Sequence, residues 1–467
     1  MNAAAAEQAK VARIRLASVA GVLRCPHLWL GAALFVIYTV LSVARFERFA
    51  TSSWDLSIFE QVVSSYAHLR APIATIKGPG FNILGDHFSP ALVVLAPAYR
   101  LFPTPVTLLV VQAALFACSA AVVSATAEEV LGRAKGILLG AAYGLSWGVQ
   151  KAVDFDFHEI SLAMPLLALA LRSLALGRWR RAAWWSAPLV LVKEDLGLTV
   201  AAIGLCLFLA GQRRLGAALG AFGAAATAVV MTVIIPWFNT NGDYDYWGKV
   251  SHGSGAGGLT DGIGTKTETL LWVLGVTAFL VLRSRLVLIA LPTLGWRFLA
   301  DDPNYWGRDW HYSAVLMPIV FVALIDGIRR AEASPRDWVR GYARGGVAAA
   351  TAVAGTLCLQ LPVRGLLDSG TFDGGPRAEA GAQAVRLIPS GVSVEANTGL
   401  MAHLAGRTQV YWVGNTGRVV PQYIALDLAS GWSSPIKDVT GYANGLHPGT
   451  RYRLVFNDQQ YAVLTRT

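Results

Sequence analysis

The stretch Ala182-Ala-Trp-Trp-Ser-Ala-Pro-Leu-Val-Leu-Val192, Lys193-Glu194-Asp195, Leu196-Gly-Leu-Thr-Val-Ala-Ala-Ile-Gly-Leu-Cys-Leu-Phe-Leu-Ala-Gly211 decides how this chain is laid out. Three consecutive charges divide two apolar runs. A helix needs roughly 20 apolar residues to cross a bilayer, and each run falls short. Arg178, Arg180 and Arg181 precede the pair, and Arg213 and Arg214 follow it. Basic loops favour the cytoplasmic side, so both flanks belong there. The chain between them then crosses an even number of times, as a helical hairpin with Lys193-Glu194-Asp195 at its outer apex. Short, broken helices persist at membrane depth only inside protein or beside a wet cavity. Ionisable groups there are costly and by default functional. The break also exposes N-terminal amides, which suit an anionic group such as phosphate.

Composition agrees with a membrane setting. Of 467 residues, 54% are hydrophobic and 15% charged, against about 25% charged in soluble domains. The chain therefore reads as a multi-pass protein with the lipid bilayer as its first partner. A net charge of +10 does not point to nucleic acid. The Lys and Arg sit in short loops, with no continuous basic stripe interleaved with aromatics. The four cysteines have no CxxC spacing, so neither a zinc site nor a disulfide framework is indicated.

Candidate spans are 28–46, 105–126, 136–152, 158–176, 182–192, 196–211, 215–237, 267–282, 286–300, 312–328 and 344–362. About eleven spans place the N-terminus in the cytoplasm and the C-terminus outside. Basic residues before the first run, with no small-residue cleavage site after it, read as a retained first helix. Residues 1–362 form the expected transmembrane domain, with a long first outer loop at 47–104. In that loop Ser53–Arg70 reads as an amphipathic helix, with Leu56, Phe59, Val63 and Tyr66 at helical spacing and Glu60 toward solvent. Residues 89–101 read as interfacial or re-entrant, stopped by Phe102-Pro-Thr-Pro105. A Gly- and Asn-rich outer loop is expected at 238–266. From 363 to 467 the chain turns mixed and polar, with alternating segments at Val392, Thr408, Tyr423 and Tyr452 and a short helix at 377–387. The expected fold is mainly α, a polytopic membrane helix bundle carrying a small extracytoplasmic α/β domain.

Carboxylates and imidazoles gather on the outer side. Asp55 opens the amphipathic helix, where it is either a helix-terminal charge or a functional group, a general base or a metal ligand. Asp86-His87 lies in a Gly- and Pro-bounded loop and is suited to a divalent metal, a phosphate or a proton relay. Asp154-Phe-Asp-Phe-His158-Glu159 joins two spans, and an extended segment would point Asp154, Asp156 and His158 one way. Asp86, His87, Asp156, His158 and Glu159 are the candidate ligands of a divalent cation such as Mg or Mn. Lys193, Glu194 and Asp195 join them as substrate-binding candidates. So do Arg297, Asp301 and Arg308 from the aromatic-rich segment Trp296–Tyr312, where Arg suits phosphate and aromatics suit sugars. Asp243-Tyr-Asp-Tyr-Trp247 either adds to such a site or is a plain loop.

In this order the motifs resemble a bacterial membrane-protein family, domain of unknown function 2079. The matching stretches are Trp54-Asp-Leu-Ser-Ile-Phe-Glu-Gln61, Lys77-Gly-Pro-Gly-Phe-Asn82, Gly85-Asp-His-Phe-Ser-Pro90, Asp154-Phe-Asp-Phe-His-Glu159 and Val192-Lys-Glu-Asp195. Ala402-His-Leu-Ala-Gly-Arg407 and Tyr423-Ile-Ala-Leu-Asp427 are similar as well. That family carries no assigned reaction. More loosely, the chain resembles polytopic glycosyltransferases of the GT-C architecture, which take sugars from polyprenyl-phosphate donors. Their first outer loop carries an essential acid at the start of an amphipathic helix, and Asp55 holds the like position; the paired-acid signature usual there is missing. The resemblance implies a protein of the bacterial plasma membrane that passes a sugar from a polyprenyl-phosphate donor to an extracytoplasmic acceptor, with Asp55 as base. A transporter or flippase of a lipid-linked or small polar substrate is the first rival reading. A non-catalytic scaffold is the second.

Overall fold

The computed structural model describes residues 25–51, 54–248 and 260–467. The basic start of the chain, Ser53 of the amphipathic segment and the middle of the 238–266 loop lie outside them. Among the described residues, three helices are long and apolar enough to cross a membrane: Pro26–Glu47, Pro105–Leu131 and Arg213–Phe238. The first two have a local reason to start where they do. Pro26 and Pro105 sit in first-turn positions that need no amide donor, and Thr104 caps the second helix through Val106 N. Gly132, at φ 93°, ends that helix in a conformation other residues avoid. The expected span 344–362 falls mostly within Asp337–Cys358, which is as long as the first helix but is not among the three, and the other expected spans are shorter helices or helical turns. Residues 136–152, for example, divide into Arg133–Gly144 and Trp147–Asp154. The count of eleven crossings therefore rests on the sequence pattern alone.

The broken hairpin is built as Trp179–Ser186, a tight turn at Ala187–Leu191, and Leu196–Leu209 after the three charges. Leu196–Leu209 packs closely on Arg213–Val229 through small residues. A Cβ on Gly197 would come within 2.3 Å of Thr227 Oγ1, and one on Gly204 within 2.5 Å of Gly220 N. Small residues allow backbones this near, which is how helices associate where lipid offers no hydrophobic drive. The contact locks the break in place, since Thr227 Oγ1 donates to Glu194 O at 3.1 Å.

The C-terminal domain is a five-stranded sheet in the order β2-β1-β3-β5-β4. Strands β1 (Ser393–Ala396), β2 (Gln409–Trp412) and β3 (Tyr423–Asp427) are parallel. β5 (Tyr461–Arg466) runs antiparallel to β3 and to β4 (Tyr452–Asp458). Side chains alternate between two cores, as strand geometry requires. Val394, Ala425 and Val463 share a core with the first outer loop, while Ile424, Leu426 and Leu464 pack with Val439 and Ala443 of the helix Val439–Leu446. Strand β5 escaped the sequence pattern because Tyr461-Ala-Val-Leu464 is buried throughout and shows no polar alternation.

That shared core corrects one expectation. Glu60 is fully buried rather than turned to solvent, because residues 398–412 cover the far side of the helix Asp55–Ala67. Tyr99 OH donates to Glu60 Oε1 at 3.0 Å. His403 makes a second tie, stacking on Phe46 at 4.1 Å in the last turn of the first long helix and on Phe49 at 3.8 Å just beyond it. Burial there pushes its imidazole down to about 3, so the ring is neutral.

Candidate functional site

Asp55 is the first residue of its helix, where the macrodipole favours negative charge. Its Oδ2 lies 3.8 Å from His158 Nε2. The loop bearing His158 is clamped by one side chain. Gln112 of the helix Pro105–Leu131 donates to Asp156 O and accepts from His158 N. Asp156 itself stands at φ 70°, and Asp154 ends its helix on an ion pair with Arg45 at 2.6 Å. The expected one-sided alternation of Asp154, Asp156 and His158 is therefore absent. The helix end and the left-handed residue turn the three apart.

His311 stacks on His158 with ring centroids 3.4 Å apart. Asp55, His158 and His311 each bring one ligand atom, all within 4.8 Å of one another. Glu159 stands behind His158, with Oε2 2.8 Å from Nδ1 though off-line for a hydrogen bond. Its other oxygen holds Lys193 Nζ at 3.0 Å. Glu194 in turn accepts from His87 Nδ1 at 2.9 Å and from Phe88 N at 3.2 Å. Tyr246 OH meets His87 Nε2 at 3.0 Å. The loop can approach this closely because residue 85 is glycine; a Cβ would lie 2.5 Å from Phe238 C.

These groups line one cavity of about 630 Å³. Its polar wall is Asp55, His87, His158, Lys193, Glu194, Asp195 and His311, and Trp54, Tyr244, Tyr246, Tyr305 and Tyr312 surround it. Its apolar wall is Leu198, Ala224, Ala228, Met231 and Leu299, from three adjacent helices. The helix Arg213–Phe238 is locally widened into a π-turn at Val230–Ile234, where Met231 and Thr232 face the cavity. Such bulges recur at functional sites.

Burial pushes the Asp55 carboxyl above its ordinary value, against the pull of His158. Burial and neighbouring His158 and Lys193 hold the His311 imidazole well below its ordinary value, hence neutral. Burial and Lys193 oppose protonation of His87, but Glu194, Asp86 and the hydrogen bond to Glu194 raise it above the usual imidazole value. Asp86 is desolvated, yet His87 and Lys77 lower its carboxyl; Lys77 Nζ lies 3.1 Å away.

Several predicted site residues stand elsewhere. Asp86 is buried on Lys77 and does not line the cavity. Arg297 is fully buried, with its donors on Tyr305 O, Gly307 O and Ser313 Oγ. It shapes the segment that presents Tyr305, His311 and Tyr312, and it does not line the cavity. Asp301 is exposed. Asp302 caps the turn Pro303–Trp306 through Asn304 N. Arg308 pairs with Glu268 at 2.9 Å and lies over Trp272. His311 as a ligand, Thr227 and Met231 were not singled out from sequence. His311 carried one local signal, its place in an aromatic, acid-rich segment; the other two lie in plain apolar helix.

No curated protein matches the chain in sequence. Among solved structures, ArnT from Cupriavidus metallidurans in the apo state aligns with TM-score 0.52 and 14% identity, over 93% of this chain and 98% of that one. ArnT from the same organism bound to undecaprenyl phosphate aligns with TM-score 0.50 and 14% identity, over 93% and 97%. Identity this low speaks of fold, and the fold is the GT-C membrane architecture with a small C-terminal sheet domain. The family described as "Predicted membrane protein (DUF2079)" matches residues 45–461, and this chain belongs to it.

Proposed function

We propose that the protein transfers a sugar from a polyprenyl-phosphate-linked donor to an extracytoplasmic acceptor. The observation that carries this reading is the cavity's two unlike walls, ionisable on one side and helical and apolar on the other. A lipid-linked phosphate needs both. The fold supports it, since ArnT in the same architecture binds undecaprenyl phosphate.

In this reaction Asp55 accepts the proton of the acceptor hydroxyl, and burial raises its basicity for that task. The acceptor oxygen bonds to the anomeric carbon as the bond from that carbon to the donor phosphate oxygen breaks. The electron pair leaves with the phosphate, whose charge Lys193 offsets. Glu159 holds Lys193 in position at 3.0 Å.

Asp55, His158 and His311 also fit a divalent cation. Their ligand atoms converge within 4.8 Å, and the buried His311 Nδ1 has no hydrogen-bond partner. Two imidazoles and one carboxylate suit Mn or Zn better than Mg, which favours oxygen ligands. When bound, such a cation supplies Lewis-acid charge beside the donor phosphate.

The test is transfer of labelled sugar from a polyprenyl-phosphate donor by purified protein, beside Asp55→Asn. Turnover that needs Asp55 supports the proposal. Gradient-driven uptake into liposomes without turnover would replace it with a transporter.

A further inference from the structure

A second cavity, about 960 Å³, lies at the other end of the bundle and is lined by Arg178, Arg180, Arg181, Arg213 and Arg214 with Trp179. The helix Pro105–Leu131 sets the separation. Gln112 holds the His158 loop, whereas Glu129 pairs with Arg178 at 2.8 Å. Those two positions are about 25 Å apart along the helix axis, close to the thickness of a bilayer's hydrocarbon core.

Topology alone would put arginines at this end. It does not account for how they are used. Lys135, Arg172, Arg178, Arg329, Arg330 and Arg340 each hold a carboxylate. Among the described residues, Arg180, Arg181, Arg213 and Arg214 hold none, though all four face one cavity. They come from the first turns of two helices, Trp179–Ser186 and Arg213–Val229. Guanidinium groups match phosphate oxygens in a planar fork. The volume is at the upper end of the roughly 300–1,000 Å³ typical of ligand pockets. On the same short helix Trp184 is 75% exposed, the placement of an indole at a headgroup layer.

We infer that this cavity binds the headgroup of an anionic phospholipid, with Arg180, Arg181, Arg213 and Arg214 on its phosphodiester. The site is independent of the proposed transfer reaction, since none of its residues lines the other cavity.

The experiment titrates phosphatidylglycerol, phosphatidylcholine or inorganic phosphate into the full-length protein in uncharged detergent. Bound lipid is read by native mass spectrometry. Wild type should retain phosphatidylglycerol in preference to phosphatidylcholine. R180Q/R181Q/R213Q/R214Q should weaken that retention on the order of a hundredfold, at about fivefold per charge less some screening. R133Q/R336Q/R340Q/R344Q removes the same charge away from the cavity and should change it little. Should the first variant fail to fold, R180K/R181K/R213K/R214K keeps the charge and loses the forks, and a severalfold weakening is expected. Equal retention by the cavity variants and wild type overturns the inference. So does equal binding of phosphatidylcholine, or displacement of the lipid by equimolar inorganic phosphate, which would assign the site to a soluble anion.

Discussion

At the arginine end Arg172 and Arg178 share Glu129, with side chains 21–42% exposed. At the acid–imidazole end Glu159 and Glu194 are almost wholly buried, as are His158 and His311. Exposed pairs of the first kind contribute about 0–1 kcal/mol each and are readily explained by topology. Buried ionisable groups of the second kind are costly to desolvate, and breaking such a pair leaves a charge without compensation. Their clustering around one cavity fits the proposed transfer reaction better than a stabilising role.

The sharpest way to break this contrast is Asp55→Asn, which keeps size and removes basicity. With any confirmed donor, turnover should fall about 10²–10⁴-fold, while expression and donor binding change little. Normal turnover would leave Asp55 as a helix-terminal charge and no more.

Glu60 sits one and a half turns along the same helix but faces the C-terminal domain, and its expected behaviour is a matter of stability. Burial raises its carboxyl from an ordinary 4.5 to about 8, against the hydrogen bond from Tyr99. Between those values the folded state binds a proton that the unfolded state has released, so stability falls as pH rises through that window. The loss across the window should be on the order of 5 kcal/mol. Glu60→Gln should flatten the profile of thermal unfolding between about pH 4.5 and pH 8. Parallel profiles for the two proteins would show that Glu60 does not titrate there.

His311→Ala should act on metal rather than on the fold. Titration calorimetry with Mn or Zn should show a loss of affinity of at least about tenfold, as expected when a site loses support. Unchanged affinity would remove His311 from the ligand set. Last and smallest, Arg178→Ala at the opposite end should cost no more than about 1 kcal/mol, because Arg172 still holds Glu129. A larger loss in chemical denaturation would mean that the arginine end also stabilises the bundle.

The chain's own pattern accounts for a good part of the architecture. Hydropathy marks a polytopic helical protein, the arginine loops mark one side, and two-residue alternation marks β1 to β4. These signals are local, and local periodicity tells which face of an element is buried. Asp55, His87, His158 and Lys193-Glu194-Asp195 also stood out as ionisable groups beside apolar runs. What periodicity does not carry is pairing between distant segments. His87 meets Glu194 from 107 residues away, and His311 reaches His158 by a ring stack that its aromatic, acid-rich segment does not specify. Arg297 looked like a phosphate ligand because arginine suits phosphate; only packing shows its donors spent on carbonyls and a hydroxyl. Glu60 looked solvated because its helix seemed amphipathic, until a domain more than 300 residues later in sequence covered the polar face. Residue type and spacing thus determined the class of molecule and its ionisable inventory. Which of those groups share a cavity was decided by tertiary contact, because burial and charge pairing depend on neighbours in space rather than along the chain.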